Sequence, residues 1–183
     1  QDVAESVIDS SEIINTLSGG GISTVGYAEV EVDEPPSQGL FDLIGGSSDR
    51  EIDTTDATNR ITSLVRKATL GRLTLPCEVE GTERGLLVVA GPPPYLNRKG
   101  IEHGRKWIEE QTGSMQVRGG DFPYTAENTV AVIVVLAGLV NVPRIKQLQQ
   151  VAVEAQDSID DLTDNHDETQ SDVVETDGIE SLF

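Results

Sequence analysis

The chain opens on a short helix signal. Ser10 to Leu17 reads Ser-Ser-Glu-Ile-Ile-Asn-Thr-Leu, with Asp9 as an N-cap and Glu12 at capping-box spacing. Gly19, Gly20 and Gly21 stop it. From Ile22 to Val32 the pattern alternates around Val25, Tyr27, Val30 and Val32, which predicts a strand. Residues 33–56 carry Pro, Gly, Ser and Asp throughout, the composition of a long flexible loop. Asp56 to Leu70 predicts a helix capped by Asp56 or Thr58, with Ile61, Leu64, Val65 and Ala68 as its buried stripe.

The second half alternates the same two periods. Gly85 to Ala90 is a continuous apolar run, the mark of a strand buried on both faces, and Pro92 to Pro94 end it. Asn97 caps a helix through Thr112, with Gly113 at its left-handed exit. Gly100 and Gly104, one turn apart, permit close approach of a neighbour. Met115 to Arg118 predicts a strand closed by Gly119-Gly120-Asp121, and Thr129 to Leu139 a β-branched one. Pro143 opens a last helix, expected to end near Asp161. Residues 162–183 read as a disordered acidic tail with an apolar end at Ile179, Leu182 and Phe183. The expected fold is α/β, one domain of helices packed on a small mixed four-stranded sheet.

Charge narrows the function classes. Lys plus Arg number 13 against 32 Asp plus Glu among 183 residues, a formal charge of −19. That balance speaks against nucleic acid as a partner and against docking on an anionic membrane. Eleven acids and no base lie beyond residue 153, so −8 of the −19 remains on residues 1–153. A salt-adapted, halophilic surface is the leading explanation and an acidic interaction tail the other. Aromatics are only 4%, so the core is aliphatic. Cys77 is the only cysteine, which excludes an internal disulfide and fits a reducing compartment. Val130 to Val140, the longest apolar run, falls short of the ~18–20 residues that span a bilayer. With Gln1 in first place and no signal-peptide pattern, the chain reads as a cytoplasmic piece of a longer protein.

Three sets of residues compete for chemistry. Ser18 to Gly26 is glycine-rich, but phosphate loops follow a strand and open a helix, whereas here a helix precedes and a strand follows. A helix stop is the favoured reading. His103, His166 and Cys77 show no metal-ligand spacing and assemble no nucleophile with a base, so neither a metal site nor a complete enzyme active site is expected on this chain. Asp9 and Glu12 both sit at the first turn of a helix. A cap and its partner explain them structurally. A paired carboxylate also orients water for attack on a phosphoryl group that another molecule presents. Spacing alone leaves both readings open.

Longer runs are more specific. Val7 to Gly21, Ser23 to Ala28, Thr58 to Ala68, Leu73 to Glu78, Tyr95 to Ile101, Arg105 to Trp107, Val117 to Asp121 and Val142 to Lys146 together resemble the C-terminal half of a tubulin/FtsZ superfamily protein, most closely the CetZ branch of haloarchaea. The resemblance implies a synergy loop and following helix over 1–21, a tubulin/FtsZ-like C-terminal domain over 22–161, and the tail. The family's synergy loop reads Asn-x-Asp-x-x-Asp or Glu; Asp9 and Glu12 match its acids, while Val7 stands at the Asn position. By this resemblance Asp9 and Glu12 promote GTP hydrolysis in trans, Glu12 polarising the water. The family's phosphate signature belongs to the other half, so GTP, with Mg2+ as an optional companion, is bound there.

The implied partners are further copies of the protein, joined head to tail in filaments, and a docking partner for Ile179, Leu182 and Phe183. The implied setting is the cytoplasm and the role control of cell shape or division. The competing reading is a stand-alone, non-enzymatic module that caps or regulates filaments of a full-length homologue.

Overall fold

Four strands form one sheet in a computed structural model that describes residues 8–33, 54–124 and 128–176. They are β1 (Ile22–Glu31), β2 (Arg84–Gly91), β3 (Val117–Pro123) and β4 (Thr129–Leu139). The order is β1-β4-β2-β3, with β4 antiparallel to both neighbours and β2 parallel to β3. The sheet is therefore mixed, and the α/β expectation holds. The helices are α1 (Ser10–Leu17), α2 (Thr54–Gly71), α3 (Arg98–Thr112) and α4 (Pro143–Thr176). β4 lies inside the sheet because its β-branched run has no polar side to offer water: Val130, Val132, Val134 and Leu136 are fully buried. α3 bridges the parallel pair β2 and β3, a connection too long for a hairpin.

α2 and α3 pack together and cover one face of the sheet. Ile61, Val65, Leu87 and Ile108 are shut off from solvent there. Glycine makes the fit possible. A Cβ on Gly104 would stand 2.9 Å from Val65 Cγ2 and 3.0 Å from Leu87 Cδ2; on Gly100 it would stand 2.8 Å from Ile61 Cδ1. On Gly26 it would run into the carbonyl of Ala68 on α2.

α1 belongs to the opposite face, against β2 and β4. Alternation along β2 sends Leu87 toward α3 and Arg84, Leu86 and Val88 the other way. The register aligns Arg118, Leu86, Val135 and Val25 in one row across the sheet. Leu86 is fully buried, while Val25 and Tyr27 on β1 stay about 40% exposed, at 39% and 42%. This face is closed at one end and open at the other.

Three boundaries differ from the sequence pattern. α2 starts at Thr54, so Asp56 and Thr58 lie inside its first turns and neither is the cap; Asp56 there faces the positive end of the helix. Gly119 and Gly120 do not close β3 but lie within it. A Cβ on Gly119 would stand 3.3 Å from Ile101 Cγ2 and 3.6 Å from Arg105 Cδ, so α3 lies close on the strand there. α4 forms a unit of its own and runs past Asp161 to Thr176. No Gly or Pro occurs from Arg144 to Asp177, and Gln156 to Asp160, Thr163 to Ile159 and Asn165 to Asp161 are linked at i,i+4 spacing. Most of the expected 33–56 loop, and Ile179, Leu182 and Phe183, lie outside the described residues.

Candidate functional site

Asp9 is the N-cap of α1, in extended backbone. Its Oδ1 accepts from Ser11 N at 2.8 Å, Ser11 Oγ at 2.5 Å and Glu12 N at 3.3 Å. The Ser11 hydroxyl first, then the Ser11 and Glu12 amides, hold its carboxyl below the ordinary value. Asp9 is thus a fixed, exposed negative charge at the start of the helix. The chain leading into it is tied to the sheet, since Ile8 N donates to Asp121 O at 3.2 Å.

Glu12 does not complete the capping box. Its carboxylate turns to the sheet, and Oε2 accepts from Arg118 Nη1 at 2.7 Å. Arg118 reaches it because alternation along β3 directs Val117 and Gly119 toward α3 and Arg118 to the α1 side. A second arginine holds the other end of the helix. Arg84 Nη1 donates to Asn15 O at 2.9 Å and to Ser18 Oγ at 3.0 Å, placing a cation where helix carbonyls gather. The two predicted acids are therefore brought together at one turn of a helix braced at both ends by the sheet.

The glycine-rich segment lacks a phosphate cradle's polarity. Gly20 and Gly21 have φ of 74° and 77°, follow the C-terminus of α1 and lead into β1. The Arg84 guanidinium stands 3.2 Å from where a Gly19 Cβ would be, against the helix end that gathers carbonyls rather than amides. This geometry is a helix stop and does not fit a nucleotide phosphate. His103 and His166 are exposed on separate helices, and Cys77 is half-buried, its thiol pushed up by burial. Among the described residues no group of His, Cys, Asp and Glu is arranged to hold a metal ion. Nor is any described helix long and apolar enough to cross a membrane.

Two residues escaped the sequence reading. Arg118 sits in a run that looks like a strand end, with nothing nearby to mark its partner. Asp121 is a buried acid on β3 whose Oδ1 has no hydrogen-bond partner among the described residues; burial raises its carboxyl above the ordinary value. Period-two counting from Val117 through glycine would have placed Asp121 inward.

Comparison with known proteins gives a consistent picture. Residues 1–154 match the family model for the C-terminal domain of tubulin-like CetZ. The tubulin-like protein CetZ1 of Haloferax volcanii is 66% identical over 166 residues, covering 88% of this chain and 42% of CetZ1. CetZ3 of the same organism is 54% identical over 183 residues, 99% of this chain and 46% of that one. The chain thus spans less than half the length of these relatives. A GDP-bound monomer of H. volcanii CetZ1 superposes with a TM-score of 0.69 at 63% identity, over 82% of this chain and 39% of that one. A GTPγS-bound protofilament of CetZ2 from the same organism gives 0.67 at 36% identity, over 85% and 41%.

Proposed function

The chain belongs to the tubulin-like CetZ family as its C-terminal domain, and on that premise we propose that it is the polymerising and activating half of a cytoskeletal GTPase. Asp9 and Glu12 act in trans on GTP held by the next subunit of a head-to-tail filament. The observation that carries this reading is the acid pair itself, presented on the first turn of α1 with each carboxylate fixed by a separate set of donors. A held carboxylate orients an attacking water and stabilises the positive charge that grows on that water as it attacks. Glu12 fits the water-polarising role, since Arg118 engages Oε2. Asp9 supplies the standing negative charge beside it. GTP contributes the bond to be cut, and Mg2+ belongs with the nucleotide, away from this chain.

The open end of the sheet supports the same reading. Val25, Tyr27 and Phe122 are substantially exposed on the α1 side, with Val88 and Ile133 half-buried between them. An apolar face of this kind suits contact with the remainder of a protein about twice as long. CetZ2 is known as a GTPγS-bound protofilament, which supports self-association for this chain too. The reading extends to a cytoplasmic filament in control of cell shape, with Ile179, Leu182 and Phe183 as a docking peptide.

The test is a chimaera that joins the N-terminal half of CetZ1 to this chain, assayed for phosphate release as protein concentration is raised. Turnover should climb steeply once filaments form, and Glu12→Gln should cut it by about 10²-fold or more while leaving GTP affinity unchanged. Undiminished turnover in Glu12→Gln filaments overturns trans-catalysis. Shortening of wild-type CetZ1 filaments by the free chain, without turnover in the chimaera, points instead to a capping module.

A further inference from the structure

We infer that Arg118 is a positioning residue that holds the Glu12 carboxylate in its working orientation. The inference rests on the proposed role of Glu12. Two homes compete for that carboxylate. As the third residue of α1 it has the spacing to turn back onto the Asp9 amide and close a capping box. In the structure it turns to the sheet instead, drawn by a charge-assisted hydrogen bond of 2.7 Å from Arg118 Nη1.

The geometry suits positioning better than stabilisation. The side chains are 57% and 33% exposed, and a pair so open to water contributes little to folding. It does restrict direction. Arg118 lies next to fully buried Leu86 in the sheet, so its base is anchored and its reach is set by β3. Arg118 engages Oε2, which leaves Oε1 to meet a water. Positive charge at Oε2 keeps the carboxylate from folding back along the helix. Without Arg118, the capping box becomes the better home, and Glu12 turns away from an incoming subunit at no loss of fold.

The experiment uses the same CetZ1 chimaera, at protein concentrations where all variants are fully polymerised. Arg118→Ala should lower kcat about tenfold with KM for GTP and the melting temperature unchanged. Arg118→Lys should recover part of the rate, and Arg118→Gln should not. In a double-mutant cycle, Arg118→Ala should have no further effect once Glu12 is Gln, because its action passes through that carboxylate. If Glu12→Gln slows turnover but Arg118→Ala does not, this inference is wrong and the trans-acting acid survives. If Glu12→Gln is itself silent, the underlying reading fails first. A raised critical concentration for Arg118→Ala, with full turnover in saturated filaments, assigns Arg118 to subunit contact and overturns positioning.

Discussion

On the α2 and α3 side of the sheet, Ile61, Val65, Leu87 and Ile108 touch no solvent, and glycines at 26, 100 and 104 let backbone and side chain meet at the limit of contact. On the α1 side, the helix keeps Ile13, Ile14 and Leu17 at 43%, 65% and 42% exposure and is fastened by Arg84 and Arg118 through polar contacts. The first face has spent its apolar surface on its own core. The second has apolar surface left over, and it presents ionised groups fixed in direction. A face of this second kind is what a domain needs where it meets another body, since burying Ile14 or Val25 within the domain would remove them from any interface.

The contrast breaks most readily through volume on the closed face. Leu87→Ala should cost about 2–5 kcal/mol, read by denaturant unfolding of the chain. Gly104→Ala adds one methyl between Val65 and Leu87 and should cost about 1–3 kcal/mol. A loss near zero there would mean that α3 slides freely on the sheet, and that the close approach is no constraint. Caps give the sharper comparison, because one lies in each region. Asn97 accepts from Lys99 N and Gly100 N as Asp9 accepts from Ser11 N and Glu12 N. Replacing Asn97 by Ala should cost about 1 kcal/mol of stability, and Asp9→Ala should lower stability in the same direction. Only Asp9→Ala should also slow GTP turnover in the chimaera. Equal effects on turnover would reduce Asp9 to a helix cap.

What could be read from the sequence follows the reach of each interaction. Asp9, Asn97 and Gly113 act within four residues of themselves, so their types and spacing announced the helix ends. Gly100 and Gly104 signalled a close neighbour by recurring at one turn, and Ile61 and Val65 are the side chains they face. Arg118 was hidden because its partner is 106 residues away and two glycines after it mimic a turn. Gly119 lies under α3, close to Ile101 and Arg105, a closeness set by tertiary packing that no local pattern expresses. The far end of α4 was hidden for another reason. Its acidity resembles a disordered tail, whereas helix propagation needs only the absence of breakers and a run of compatible residues.

The smallest expected effect again divides the regions, by sign. Asp9 on the α1 side has its carboxyl lowered from 3.8 by the Ser11 hydroxyl and the two amides. It contributes stability that is present above 3.8 and fades as pH falls through its folded value. Asp121, buried on the α3 side with no partner for Oδ1 among the described residues, has its carboxyl raised from 3.8 by burial. The folded state there holds its proton more firmly than the unfolded one, so its contribution is complete below 3.8 and is lost as pH rises through the folded value. Asp9→Asn keeps the cap and should flatten the melting profile on the acid side of 3.8. Asp121→Asn should flatten it above 3.8. A profile unchanged by Asp121→Asn would mean that water reaches that carboxylate, and the closed face would then be less closed at its β3 edge than at Leu87.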